Sequence, residues 1–163
     1  MKVRLADLDD AEAIRAIYNP EVLESTVTFD LVPRTLEDQQ QWLDDHSGAH
    51  PAIVALEGDT VVGFGSLSEY KARPAYRTSV EDSVYVHRAY QGLGVGRLLL
   101  ESLLGLAVDH GFHAVFARIV GGHEASIGLH QNCGFEIIGT EREVGRKFGQ
   151  WLDVVIMQRL LAP

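Results

Sequence analysis

Apolar positions recur along the chain in two periods, and the switches between them set the predicted order of elements. Val3 to Ala6 reads as a short strand. Asp7-Leu8-Asp9-Asp10 then offers acidic caps for a helix from about Ala11 to Tyr18, with Ala13, Ile14 and Ile17 on one face. Asn19-Pro20 is expected to end or kink that helix, because proline has no N–H to give and crowds the residue before it. Glu21 to Pro33 reads as loop, although Val27 and Phe29 place part of it against the core or a ligand. Thr35-Leu36-Glu37-Asp38 matches a capping box and opens a helix to about His46, predicted to bury Leu36, Trp42 and Leu43.

Ile53 to Leu56 and Val61 to Phe64 bracket Glu57-Gly58-Asp59 and predict a hairpin, with Gly63 and Gly65 implying close approach of a helix or loop. Ser79 to His87 alternates through Val80, Asp82, Val84 and Val86 as a further strand. A helix from about Gly94 to His110 carries Leu98, Leu99, Leu103, Leu106 and Ala107 at helical spacing, and Gly111 stops it. Phe112 to Val120 is the next strand, and Glu124 to Asn132 a shorter helix. Glu136 to Val144 and Trp151 to Leu160 enclose the turn Lys147-Phe148-Gly149. The order β-α-α-β-β-β-α-β-α-β-β predicts one α/β domain over residues 1–163, a mixed sheet with helices on both faces and neither repeat nor linker.

At 163 residues and 46% hydrophobic content the chain buries a core without metal or disulfide staples. Its stretches fall short of the roughly 20 apolar residues of a membrane span, and Met1-Lys2-Val3-Arg4 leads straight into strand-like sequence; a soluble, cytoplasmic protein is expected. The single cysteine, Cys133, excludes an internal disulfide and reads as a small buried residue. The seven histidines lack metal-ligand spacing, so no metal is expected. A net charge of -9 speaks against nucleic acid as partner and leaves anion binding to local devices. Lys71 with Arg73, and Arg142, Arg146 and Lys147, are the few clustered cations.

One such device is Gln91-Gly92-Leu93-Gly94-Val95-Gly96-Arg97, lying between a predicted strand and a predicted helix. Glycine at alternate positions lets several N–H groups face one concavity, and the helix start adds partial positive charge, which suits a pyrophosphate. The phosphate loop of nucleotide hydrolases needs Gly-Lys-Ser/Thr at its end, whereas Arg97-Leu98 follows Gly96 here. The dinucleotide fingerprint needs its third glycine one position later and an acid ending the next strand, where Ala114 to Val120 carries Arg118 instead.

Together with Ser126-Ile127-Gly128-Leu129-His130-Gln131-Asn132-Cys133-Gly134-Phe135, the glycine turn resembles the signature segments of the GCN5-related N-acetyltransferases. The predicted element order is theirs too, which implies a mostly antiparallel sheet of about seven strands with about four helices. Further marks resemble the subgroup that acetylates phosphinothricin and methionine sulfone or sulfoximine. They are Ile17-Tyr18-Asn19, Ser25-Thr26 with Phe29, Lys71-Ala72-Arg73 with Tyr76, Val80-Glu81 with Val84-Tyr85-Val86, Ser126 with Leu129-His130, and Gly149 with Trp151 and Asp153.

This resemblance implies acetyl-CoA as cosubstrate. Its pyrophosphate would lie on the amides of Gly92, Leu93, Gly94, Val95, Gly96 and Arg97, with Gln91 shaping the entry, its pantetheine arm along Val84, Tyr85 and Val86, and Ser126 within reach. It implies Glu81 as the base that takes the amine proton, with Asp82 facing the other way on the same strand. It implies His130 as proton donor to the leaving thiolate, although a lone helical histidine satisfied by a backbone carbonyl also fits that position. Arg73 would clamp the acceptor's anion, with Phe29, Tyr76 and Val154 lining the pocket and Thr26 or Lys71 adding polar contacts. A homodimer meeting near Trp151 and Val154 is also implied. His123 departs from the family pattern, which commonly has asparagine there to touch the pantetheine arm. Two other functions suit the same fold: acetylation of a polyamine, an aminoglycoside or a protein N-terminus, and non-catalytic sensing of acyl-CoA.

Overall fold

The computed structural model describes residues 1–161; the last two positions of the domain expected over 1–163 lie outside the described residues. The elements are β1 (Lys2–Leu5), α1 (Ala11–Glu24), α2 (Leu36–Asp45), β2 (Ala52–Glu57), β3 (Thr60–Glu69), β4 (Ser79–Val86), α3 (Val95–Asp109), β5 (Ala114–Val120), α4 (Glu124–Asn132), β6 (Glu136–Lys147) and β7 (Gln150–Leu160). The predicted order therefore holds. The strands form one sheet in the order β1-β2-β3-β4-β5-β7-β6, antiparallel at every junction except β4 with β5.

Alternation along the strands divides the core in two. Val80, Val115, Ala117 and Met157 face α3 and α4, where Leu99, Leu100, Leu103 and Ile127 cover them. Val54 and Phe64 face α1 and α2, under Ile14, Ile17, Tyr18, Val22 and Leu43. Gly63 and Gly65 let α3 approach β3: a Cβ at either would lie 3.0 Å from Leu99 or Leu103. Each buried leucine of α3 contributes about 2 kcal/mol over an exposed one, and Leu103→Ala would cost about 3 kcal/mol with its cavity.

Three expectations need correction. Pro20 neither ends nor bounds α1, which runs on to Glu24. Tertiary contacts override the local signal: Val22 is buried, the Asn19 side chain brackets the backbone of Arg34 with two 3.0 Å bonds, and Arg88 binds Glu21 and Glu24. Leu36 is 41% exposed rather than buried: it is the first residue of α2, directly after the Thr35 cap, and the helix buries Gln39 and Leu43 further along. The strand ending at Val144 extends to Lys147, so the turn is Phe148-Gly149, both with positive φ, 51° and 72°.

Candidate active site

The parallel junction of β4 with β5 pairs only Ser79 with Ala114, Val80 with Val115 and Glu81 with Phe116. Beyond Glu81 the strands part, while β4 stays paired with β3 as far as Val86 and β5 with β7 as far as Val120. A gap opens whose walls are main chain. The side chains of Val84 and Val86 pack into the α3 core, and Tyr85 stacks on Phe64 with ring centroids 5.3 Å apart and meets Tyr18 edge-on at 5.1 Å. Burial pushes the Tyr85 phenol up to about 12, so it stays protonated at neutral pH. What these three residues present to the gap is backbone.

At the end of β4 the chain makes a 3-10 turn, Arg88–Tyr90, and enters the glycine run through the exposed Gln91. Gly92 and Gly94 have φ of 76° and 84°, values that side chains resist, and Gly94 is the N-cap of α3 without a side-chain cap. Among the described residues, no backbone or side-chain acceptor outside α3 takes a hydrogen bond from the amides of Gly92 to Arg97. They are orphan donors at a helix start and converge where the gap begins. Arg97 itself turns away, with Nε 2.8 Å from Glu101 Oε1.

Glu81 sits at the fork, half-buried, on the sheet face that carries Tyr85, Phe116 and Arg118. Burial raises its pKa above the ordinary glutamate value and the Asp82 charge adds to this, while Arg118 acts in the opposite direction. Arg118 is bridged to Glu141 on β6. The neighbouring Asp82 points to the other face, as alternation requires, and there it meets His130 of α4.

His130 is 4% exposed; its Nδ1 lies 2.8 Å from the Ser126 carbonyl and its Nε2 2.9 Å from Asp82 Oδ1. Two acceptors face two ring nitrogens, an arrangement that only the doubly protonated ring satisfies. Burial disfavours that cation, but the Asp82 bond and charge, with the Ser126 carbonyl, outweigh it and leave the pKa raised. The carbonyl partner expected for a helical histidine is present; the carboxylate partner, 48 positions away, carries no local sequence signal.

The other predicted acceptor residues differ in exposure and in how closely contacts tie them to the Glu81 face. Val154 of β7 is buried opposite Val120. Phe29 lays its ring on β6, where a Cβ at Gly145 would meet it at 2.4 Å. Tyr76 stands edge-on to Tyr70, and Tyr70 stacks at 4.2 Å on Phe116, the partner of Glu81 across the sheet. Lys71 Nζ lies over both tyrosine rings, at 5.1 and 5.4 Å. Arg73, in the exposed loop before the 3-10 turn Pro74–Tyr76, makes no ion pair among the described residues. Thr26 is engaged, its hydroxyl 2.8 Å from His123 Nε2.

Lys147, which the sequence marks only as one of a few clustered cations, is buried beside the same loop. It is 3% exposed, its Nζ donates to the Thr28 carbonyl at 2.8 Å, and Thr28 Oγ1 is 2.8 Å from the Tyr18 hydroxyl. The cluster of basic residues was visible, but burial of this one depends on the long hairpin folding back over the α1–α2 loop.

With this geometry in view, the comparisons are specific. Residues 3–156 match the model of an acetyltransferase (GNAT) domain. The phosphinothricin N-acetyltransferase of Streptomyces coelicolor is 39% identical over 99% of this chain and 96% of its own. The L-methionine sulfoximine/L-methionine sulfone acetyltransferase of Pseudomonas aeruginosa is 39% identical over 99% and 95%. A phosphinothricin acetyltransferase from Sinorhizobium meliloti, solved in complex with acetyl-CoA, superposes with a TM-score of 0.95 at 36% identity, covering 98% of this chain and 88% of that one. A forked sheet, an amide-lined helix start and near-complete matches together mean that this chain belongs to the GNAT family of acetyltransferases.

Proposed function

We propose that this acetyltransferase moves an acetyl group from acetyl-CoA directly to the α-amine of a small amino-acid analogue, of the phosphinothricin, methionine sulfone or methionine sulfoximine kind. The observation that carries the reading is the position of Glu81: a half-buried carboxylate at the fork of β4 and β5, on the acceptor face, one strand-length from the glycine turn. The names of the relatives at 39% identity support the acceptor class.

The orphan amides of Gly92 to Arg97 fit a diphosphate in number and polarity, and the unpaired edges of β4 and β5 fit the amide-bearing arm of a coenzyme. When bound there, acetyl-CoA would supply an activated thioester. Glu81 would take a proton from the acceptor's ammonium, which has a pKa of roughly 8 and must be deprotonated to react. Burial raises its pKa above the ordinary glutamate value, which makes its carboxylate a stronger base than an exposed one. His130 Nε2 would hold the proton destined for the thiol. The Asp82 pair keeps that proton on the ring, and releasing it requires the Nε2–H to leave Asp82 Oδ1. Arg73 would grip the acceptor carboxylate or phosphinate, against Phe29, Tyr76 and Val154, with Lys71 and Thr26 as polar neighbours.

In this reading the protein is cytoplasmic, consistent with one buried, unpaired cysteine, and among the described residues no helix is long and apolar enough to cross a membrane. It is also a homodimer: the edge strand β6, its turn and the start of β7 expose Ile137, Ile138, Val144, Phe148 and Trp151, apolar side chains that a second copy would cover.

A thiol-release assay with acetyl-CoA tests the function. Methionine sulfone, methionine sulfoximine and phosphinothricin should be turned over with kcat/KM well above that of polyamines, aminoglycosides or peptides. Coenzyme binding without product from any amine would leave a sensor, and preference for a peptide N-terminus would move the acceptor class.

A further inference from the structure

The stretch from the end of α1 to Phe29 runs from the β4 side of the gap to the β5 side and is fastened at both. On the β4 side, Arg88 donates from Nε to Glu21 and from Nη1 to Glu24, each at 2.8 Å. On the β5 side, His123, which joins β5 to α4, holds Thr26 Oγ1 at 2.8 Å across 97 positions of sequence. Beyond Thr26 the stretch is carried on by the Lys147 bond to Thr28 and by Phe29 on Gly145. His123 is the tether to the strand that parts from Glu81.

The geometry points to His123 as a positioning residue for the amine acceptor: by holding Thr26 to the β5 wall, it keeps the Thr26–Phe29 stretch ordered over the face where Glu81 works. This rests on reading that face as the amine site. A loop ordered before its ligand arrives loses less conformational freedom on binding, so cutting the tether weakens acceptor binding without touching the reacting atoms. Burial disfavours the His123 imidazolium, leaving a neutral ring whose Nε2 can share one hydrogen with the threonine hydroxyl.

Steady-state kinetics on the full chain, with acetyl-CoA and the amine that the wild type uses best, test the inference. His123→Ala and Thr26→Val should each raise the amine KM roughly threefold to tenfold, the loss of one hydrogen bond, and the double variant should add nothing further. Thr26→Ser and His123→Gln, which keep a hydrogen-bonding group, should return the amine KM towards wild type, while the acetyl-CoA KM stays within about twofold throughout. An unchanged amine KM in both single variants, an additive double, or a rise confined to the acetyl-CoA KM would overturn it. A wild-type chain that acetylates no amine is a separate result, which removes the proposed function and this inference with it.

Discussion

His130 Nε2 lies 2.9 Å from Asp82 Oδ1, with side chains 5% and 2% exposed, so α4 and β4 are joined by a hydrogen-bonded acid–imidazole pair inside the core. The folded-state pKa of the imidazole is raised above its reference of 6.5. The pair's contribution is therefore complete below about pH 6.5 and fades as pH rises through the folded value. Asp82→Ala should cost about 3 to 5 kcal/mol in denaturant unfolding at pH 6, because it strands a buried cation. In Asp82→Asn the decline of stability with rising pH should flatten; the same slope in both proteins would refute the ion-pair reading.

Replacing Glu81 by glutamine removes the proposed proton acceptor and keeps the shape. Turnover should fall roughly 10²-fold or more at neutral pH while calorimetry finds acetyl-CoA affinity nearly unchanged. Wild-type turnover in this variant would end the assignment of Glu81 as base.

The same carboxyl sets a pH profile. Burial and Asp82 raise its pKa and Arg118 opposes them. The acid limb of kcat/KM should therefore lie above the ordinary glutamate range, with activity gained as pH rises through it. Arg118→Gln withdraws the opposing charge and should move that limb to still higher pH. A limb that stays in place or moves down would show that another group governs it.

Gly94 caps α3 at a φ of 84°. Gly94→Ala should cost about 1 kcal/mol of stability and, by turning the amides out of register, weaken acetyl-CoA roughly tenfold or more in calorimetric titration. Unaltered affinity would mean that these amides do not hold the coenzyme.

Lys147→Met keeps the length of the side chain and deletes the donor to Thr28. Loss of that buried bond should lower stability by about 1 to 3 kcal/mol and raise the amine KM, read from unfolding curves and initial rates on one preparation. Stability equal to wild type would make the contact incidental.

What the sequence discloses here follows from how local each cause is. The order of elements, the Thr35 cap, the glycine turn and the opposed directions of Glu81 and Asp82 all arise from spacing within one element. Alternation on β4 shows that Asp82 faces the helices, but not that His130 waits there. Pro20 misleads because the contacts that carry α1 past it come from Arg34 and Arg88. Lys147 and His123 read as a turn cation and a departure from pattern. Their partners, Thr28 and Thr26, are 119 and 97 positions away in sequence, so no local pattern announces either contact.

The halted zipper between β4 and β5 divides the evolutionary burden of the molecule unevenly. Its slot is bounded by peptide groups that every residue type possesses, so donor recognition there, as proposed, would tolerate broad drift in side chains along both edges. The proposed acceptor wall is drawn instead from loop and turn side chains, Phe29, Arg73 and Tyr76 among them, and those can be exchanged without unpicking a strand. A scaffold so divided can trade one amine for another while keeping its grip on a single acyl carrier.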